Sequence, residues 1–250
     1  MQRIRSFLWA FFLAFFCLSL MIMAAVLWVT PYSRPQEAPA QSYIAIPKEE
    51  DSLTLLAIHA EGKDLRSLSV IDIQSQEGQI LLKTFPPSAV INGKNLGQLW
   101  QREGNTALIS VLSSYLDRDI QRCALVSDQQ LSALIDRFGP APVILEEALH
   151  YSRSDITVTL EPGTHKLNGE QCLRWLASSE NSLTYARRSG QLLQTLINQN
   201  ISVAAGEQAQ ETFLTLLDSM DSDLSLSDYD RCHSAWAFMA RLVENPAQIQ

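Results

Sequence analysis

Between Phe7 and Thr30 the chain carries no charged residue (FLWAFFLAFFCLSLMIMAAVLWVT). A helix of about 20 apolar residues spans a bilayer core, so this stretch is long enough to cross one. Arg3 and Arg5 precede it; the next basic residue is Arg34, and Glu37, Glu49, Glu50 and Asp51 follow. That basic bias places residues 1–6 in the cytoplasm and the rest of the chain outside. Trp9 and Trp28 fall near the two ends, where interfacial aromatics are common. The competing reading is a cleaved signal peptide, but its apolar core runs only about 7–15 residues. The small-x-small stretch Ala38-Pro39-Ala40 lies well past the apolar run and has a proline inside it. The spacing therefore predicts an uncleaved single-pass anchor over 7–30 in the cell membrane, with Cys17 an apolar-type residue within it.

Residues 31–50 (PYSRPQEAPAQSYIAIPKEE) carry Pro31, Pro35, Pro39 and Pro47 and read as an extended stalk. Of the 250 residues 46% are hydrophobic and 18% charged, enough beyond the stalk for one sizeable core. All 27 acidic residues lie after the span, with all but Arg3 and Arg5 of the 19 basic ones. This acidic balance excludes a nucleic-acid binder acting through a basic surface. Cys123, Cys172 and Cys232 lie outside the span, an odd number that allows one bridge or none. The four histidines, His59, His150, His165 and His233, are scattered, and no Cys/His spacing points to a metal site or a catalytic histidine.

Beyond the stalk, Leu53–Ala60 is an apolar run of strand length, and Leu68–Ile73 and Gln79–Phe85 read as a hairpin around a turn-like SQEG. Thr106–Leu116 has helical periodicity. Arg122–Val126 reads as a strand, and Ser127 with Gln130 opens a helix as a capping box that Phe138-Gly139-Pro140 stops. Pro142–Leu145 and Ile156–Leu160 read as strands. Asn168 with Gln171 opens a further helix, and Tyr185–Asn198, Glu207–Met220 and Ser227–Val243 are three more. This order predicts an α/β (α+β) fold: a three-layer αβα sandwich with a mixed central sheet over residues 51–243, preceded by one transmembrane helix and followed by a tail, 244–250.

The succession of short motifs carries a resemblance. SALIDRFGPAPVIL (132–145) ends a helix and starts a strand, LEPGTHKLNGEQCLRW (160–175) leads into a helix, and YARRSGQLLQTLINQN (185–200) follows as a long helix. LLDSMDSDLSLSDYDRC (216–232) turns between the last two helices. This layout resembles the LytR-CpsA-Psr family of cell-envelope proteins over nearly all of 51–243. The resemblance implies an αβα sandwich that holds a polyprenyl-pyrophosphate lipid in an apolar groove and transfers a phosphate-linked glycan to peptidoglycan. Magnesium is implied if that activity is retained. Arginines would neutralise the pyrophosphate and an Asp would carry the metal.

Carried over residue by residue, the family's charged positions are largely replaced. Its S-x-P-R-D strand end falls on Thr84-Phe85-Pro86-Pro87-Ser88, so Arg and Asp become Pro87 and Ser88. The earlier Asp falls near Arg66, and the paired arginines after the first helix start fall on Ala177 and Ser179. In the D-x-x-R-x-x-R-Q helix, Arg187 and Gln191 survive while Thr184 and Gly190 stand for the Asp and second Arg. The remaining candidates for an anion site are Arg187, Arg188, Gln191, Arg174 and Arg66, with Lys94 able to add charge; no catalytic or metal-ligating residue is assigned. The alternative for Arg187 and Arg188 is a solvated helix face, with Arg187 and Gln191 together at i, i+4. Leu108, Ile109, Val111, Leu112, Leu131, Leu134 and Ile135 are either core or the wall of a lipid groove. Three readings follow: a degenerate member binding an isoprenoid lipid, a glycolipid or an envelope protein with weak or no catalysis; an active glycopolymer phosphotransferase; and a structural envelope subunit.

Overall fold

The computed structural model describes residues 46–153, 156–204, 206 and 208–250. The expected cytoplasmic tail and membrane segment, and most of the stalk, lie outside them. Among the described residues no helix is long and apolar enough to cross a membrane.

Strands β1 (Leu53–Glu61), β2 (Asp64–Gln74) and β3 (Gln79–Phe85) form an antiparallel meander. Gly78, at φ +65°, turns the second hairpin, and the space a Cβ would need there is taken by the Phe238 ring. Two short strands follow, β4 (Val90–Ile91) and β5 (Lys94–Asn95), then helix α1 (Leu96–Leu116). Strand β6 (Arg122–Val126) lies parallel to β1, an arrangement that needs a long crossover, here through α1. Helix α2 (Asp128–Phe138) starts at the Ser127–Gln130 capping box. The central sheet is completed at its edges by β11 (Asp221–Ser222) against β6 and β12 (Ala247–Ile249) against β3, giving the order β11-β6-β1-β2-β3-β12. The sheet is mixed and the domain is α+β. The segment 244–250, read as a tail, carries β12.

Strand alternation sends neighbouring side chains to opposite faces. Leu56 and Ile58 lie opposite Val70 and Leu68, and this face packs on Leu99, Leu108, Val111 and Leu112 of α1. Leu53 and Leu55 lie opposite Ile73 and Ile71, which continue to Ile80 and Leu82 of β3. That second face is covered by α4 (Ser182–Ala204) through Leu193 and Ile197, and by α6 (Leu226–Leu242) through Cys232, Ala235 and Met239. Helix α5 (Ala209–Asp218) runs between them in sequence.

A third cluster stands beside the sheet. Strand β7 (Ala141–Leu145) pairs with β10 (Gly163–Leu167), and β8 (Leu149–Arg153) with β9 (Ile156–Leu160). The two strands expected from apolar runs, 142–145 and 156–160, thus pair with the more polar β10 and β8. Helix α3 (Gly169–Ala177) seats Cys172, Trp175 and Leu176 against Ile135 and Leu192. Gly169 lies so close to the Ser132 carbonyl that any Cβ would collide with it. Cys123, Cys172 and Cys232 are free and buried, one in each cluster, so they cannot reach one another. Burial pushes their thiols up, Cys123 and Cys232 to about 11 and Cys172 to about 12.

Helix α1 begins ten residues before its expected start at Thr106, at Leu96. Asn95 caps it, its side chain accepting from the Gln98 amide. Gly104 (φ 73°, ψ −158°) then breaks the helical geometry, a conformation open to glycine alone without strain. Leu96, Leu99 and Trp100 keep helical spacing in this first part, but the run QREGN at 101–105 has no apolar residue and interrupts the pattern before Thr106. Leu108, Val111 and Leu112 are core beneath the sheet, and Ile135 is core under α3.

Candidate functional site

An open cleft of about 760 Å³ lies at one end of the sheet. The start of β2 supplies Asp64 and Arg66, the segment after β3 Pro87, and the first turn of α2 Asp128. The other wall is Leu173, Arg174 and Ala177 of α3, Ser179 and Asn181 of the connecting loop, and Ser182 and Tyr185 of α4.

Parallel pairing of β1 with β6 sets His59 opposite Val126, two residues before Asp128. A bulge between His59 and Ala60 bends the strand there. His59 is only 6% exposed. Its Nε2 lies 2.8 Å from Asp128 Oδ1, and its Nδ1 lies 3.3 Å from Tyr185 Oη. Arg66 extends the chain, 4.0 Å from Asp128 and 3.0 Å from Asp64.

Protonation follows from the contacts. The hydrogen bond from His59 holds the Asp128 carboxyl below its ordinary value against the desolvation of burial, and the charge of Arg66 adds to it. An ionised carboxylate only accepts, so Nε2 carries the proton. In the neutral imidazole Nδ1 is then a lone pair, and the Tyr185 hydroxyl donates to it. Burial pushes the Tyr185 phenol up, and Asp128 pushes it further, so it stays protonated.

The structure brings two of the five sequence-derived anion candidates into the cleft. Arg66 lines it, and Arg174 lines it while paired with Glu170 one turn earlier, at 2.5 Å. Arg188 turns instead into the joint between α3 and α4. It donates to the Trp175 carbonyl (2.7 Å), Ser178 Oγ (2.9 Å) and Ser179 Oγ (3.3 Å) and lies over the Trp175 ring. Arg187 and Gln191 are exposed on α4 and do not line the cleft. Lys94 is exposed in β5, also away from it. Helix geometry separates the group: Tyr185, two positions before Arg187, faces the sheet end, so Arg187 is turned away from it.

The replaced positions do converge. Pro87, Ala177 and Ser179, where the resemblance puts arginines, all line the cleft with Arg66. Ser88, in place of an expected Asp, shares a 2.8 Å hydrogen bond with Ser182. Thr184 lies in the first turn of α4, its amide donating to Asn181 Oδ1. Gly190 packs on β3, where a Cβ would come within 2.7 Å of Thr84 Oγ1, so no arginine fits at that position.

Magnesium requires oxygen ligands in near-octahedral array, commonly one or two carboxylates with water and phosphate oxygens. Here Asp64 and Asp128 are both bridged by the Arg66 guanidinium, and Asp128 is also bound to His59. Among the described residues no three His, Cys, Asp or Glu side chains cluster as metal ligands do. These donors do not fit a resident magnesium ion.

A seam of hydroxyls continues from His59 between the sheet and α4: Ser67 donates to Ser189 (3.1 Å), and Ser69 shares a bond with Thr84 (3.2 Å). No local motif marks His59, Asp128 or Tyr185. They are far apart in sequence and meet only through the β1–β6 pairing and the packing of α4. The apolar run LTLLAIHA, with a histidine as its last residue but one, was the one available sign.

A mixed sheet covered on both faces, with an open cleft of charged, polar and apolar side chains at one end, defines an α+β domain. Residues 70–246 match the LytR_cpsA_psr family, and the chain belongs to it. No curated protein matches the chain significantly. Among solved structures, a protein of Eubacterium siraeum designated a transcription regulator superposes with a TM-score of 0.75 at 17% identity, over 84% of this chain and 86% of that one. TagV of B. subtilis gives 0.65 at 14% identity over 81% and 85%. TagT, solved bound to LIIa-WTA, gives 0.62 at 16% identity over 85% and 84%. At these identities the likeness concerns the fold.

Proposed function

We propose that this chain is a membrane-anchored cell-envelope protein whose LytR-CpsA-Psr domain holds the headgroup of a polyprenyl-phosphate-type lipid or glycolipid and does not transfer it. The observation that carries this reading is the lining of the cleft. Arg66 stands among Pro87, Ala177 and Ser179, positions where the resemblance calls for charge. Loss of one preorganised donor typically costs about 10²–10³ in rate. Losses in a group that acts together leave little chemistry, though they do not simply add.

Binding survives such losses better than catalysis. Arg66 and Arg174 remain, and a guanidinium fork suits phosphate oxygens. A glycolipid-type ligand is supported by the TagT structures bound to LIIa-WTA and LI-WTA. The ligand's apolar chain stays with the bilayer, because Leu108, Val111 and Leu112 are committed to the core. The apolar stretch 7–30 supports the anchor, with the domain on the outer side of the cell membrane.

The test uses the full chain in detergent micelles. Calorimetry with a polyprenyl pyrophosphate, with and without magnesium, is read beside an assay of released phosphate. Binding without turnover is the expected result. Turnover would overturn the loss of catalysis, and absence of binding would leave the structural-subunit reading. Retention of the full chain in membranes after an alkaline carbonate wash tests the anchor.

A further inference from the structure

We infer that Tyr185 contacts the bound phosphate and that a proton taken up on His59 turns its hydroxyl from the imidazole toward the ligand. This rests on the reading of the cleft as a phosphate-headgroup site.

The geometry allows two states of one hydrogen-bonded chain. With His59 neutral, Nε2–H donates to Asp128, and Nδ1 accepts from the Tyr185 hydroxyl. Tyr185 then shows the cleft only lone pairs, which repel a phosphate oxygen. When Nδ1 takes a proton from solvent, it donates to Tyr185 Oη. The hydroxyl hydrogen must rotate away, and the side open to it is the cleft, which Tyr185 lines. No covalent bond other than N–H changes.

Charge explains why an anion would draw that proton. The groups facing His59 are Asp128 from α2, Tyr185 and Ser189 from α4, Ser67 and the neighbouring Arg66 from β2, and Val126 from β6. On its own strand Glu61 accepts from the Asp128 amide at 3.2 Å. The fixed charges around it are therefore the carboxylates of Asp128, Glu61 and Asp64, with Arg66 shared between Asp64 and Asp128. A dianion entering the cleft meets Asp128 as an unfavourable neighbour. An imidazolium at His59 offsets Asp128, frees Arg66 for the ligand and exposes a hydroxyl donor, so binding and protonation favour each other.

The experiment is calorimetry of farnesyl pyrophosphate on the full chain in detergent micelles at pH 7, in two buffers of different ionisation enthalpy. The difference in heat counts the protons taken up. The expected result is net proton uptake by the native chain, lost in Tyr185→Phe, with affinity about tenfold weaker. His59→Gln loses the uptake as well, with circular dichroism confirming its fold. Equal uptake in the native chain and His59→Gln would place the proton on the pyrophosphate, and equal uptake in Tyr185→Phe would uncouple it from the hydroxyl; either result overturns the inference. Binding without any uptake overturns it too, while leaving the cleft reading intact. If the native chain does not bind the probe, the cleft reading fails, and this inference with it.

Discussion

The Arg188 guanidinium lies over the indole of Trp175, 5.3 Å from its centroid, and donates to the same residue's carbonyl oxygen at 2.7 Å. One side chain thereby fastens α4 to the end of α3. Desolvation lowers the Arg188 proton affinity and nearby Glu180 opposes it. The side chain serves the cleft wall from behind, since Ser179, which it holds, lines the cavity.

Arg188→Ala removes three donor contacts and a cation–π contact at a half-buried site. A loss of about 2–3 kcal/mol in unfolding free energy is expected. Arg188→Lys should recover only part of it, because an ammonium lacks the planar fork. Arg187→Ala, its exposed neighbour, should change stability by less than about 0.5 kcal/mol. Urea titration of the three variants checks the ordering.

Headgroup binding should follow the cleft rather than the long helix. Arg66→Ala is expected to weaken a pyrophosphate probe about tenfold, the size of one charge-assisted hydrogen bond. Arg174→Ala should cost less, because its side chain is 56% exposed against 39% for Arg66 and solvent screens it more. Arg187→Ala should stay within about twofold of the native chain. Titrations at low and high salt check the assignment, since contacts between exposed charges weaken as ionic strength rises.

Gly190 offers a test of close approach without backbone strain. In an exposed helix interior Gly→Ala stabilises by about 1 kcal/mol. Here the added methyl meets Thr84 Oγ1, whose own partner is Ser69, so Gly190→Ala should instead destabilise by about 1 kcal/mol or more. Adding Thr84→Ala should relieve the clash and restore the ordinary gain. Thermal unfolding of the single and double variants gives the coupling.

The parts of this fold legible in the sequence are those governed by local rules. The strand 79–85, the strand 122–126 and the capping boxes at Ser127 and Asn168 follow from alternation and side-chain capping, and each forms as expected. Strand β8 was not legible because LHYSR has only Leu149 and Tyr151 as apolar residues, too few to set a period, and it exists through its pairing with β9. The motif order located the cleft walls at 66, 87, 177 and 179. What the pattern could not supply was the rotation of α4. Whether Arg187 or Tyr185 faces the sheet depends on which side of the helix carries Leu192, Leu193 and Ile197 to the core. The His59–Asp128–Tyr185 chain depends on the same rotation and on a parallel strand pairing.

Acid stability should report one buried carboxylate, Asp228, which is paired with Arg122 and Arg231. Asp228, 3% exposed, accepts from Arg122 Nε at 2.8 Å and from the Ser225 amide at 2.9 Å. Desolvation would raise its carboxyl, but the hydrogen bonds from Arg122 and Ser225 outweigh it and hold the group below its ordinary value. A carboxyl depressed in the folded state contributes stability above its unfolded value, about 3.9, and loses it as pH falls through the folded value. The melting temperature of the native chain should therefore drop steeply below about pH 4. Asp228→Asn should lose about 2–3 kcal/mol near neutrality, less than for a fully buried pair because the Arg122 side chain is 33% exposed and regains water. Its melting temperature should fall less between pH 4 and pH 2 than the native chain's, since the group that titrates there is gone. An unchanged acid slope in the variant would assign the drop to other carboxylates, Asp128 first among them.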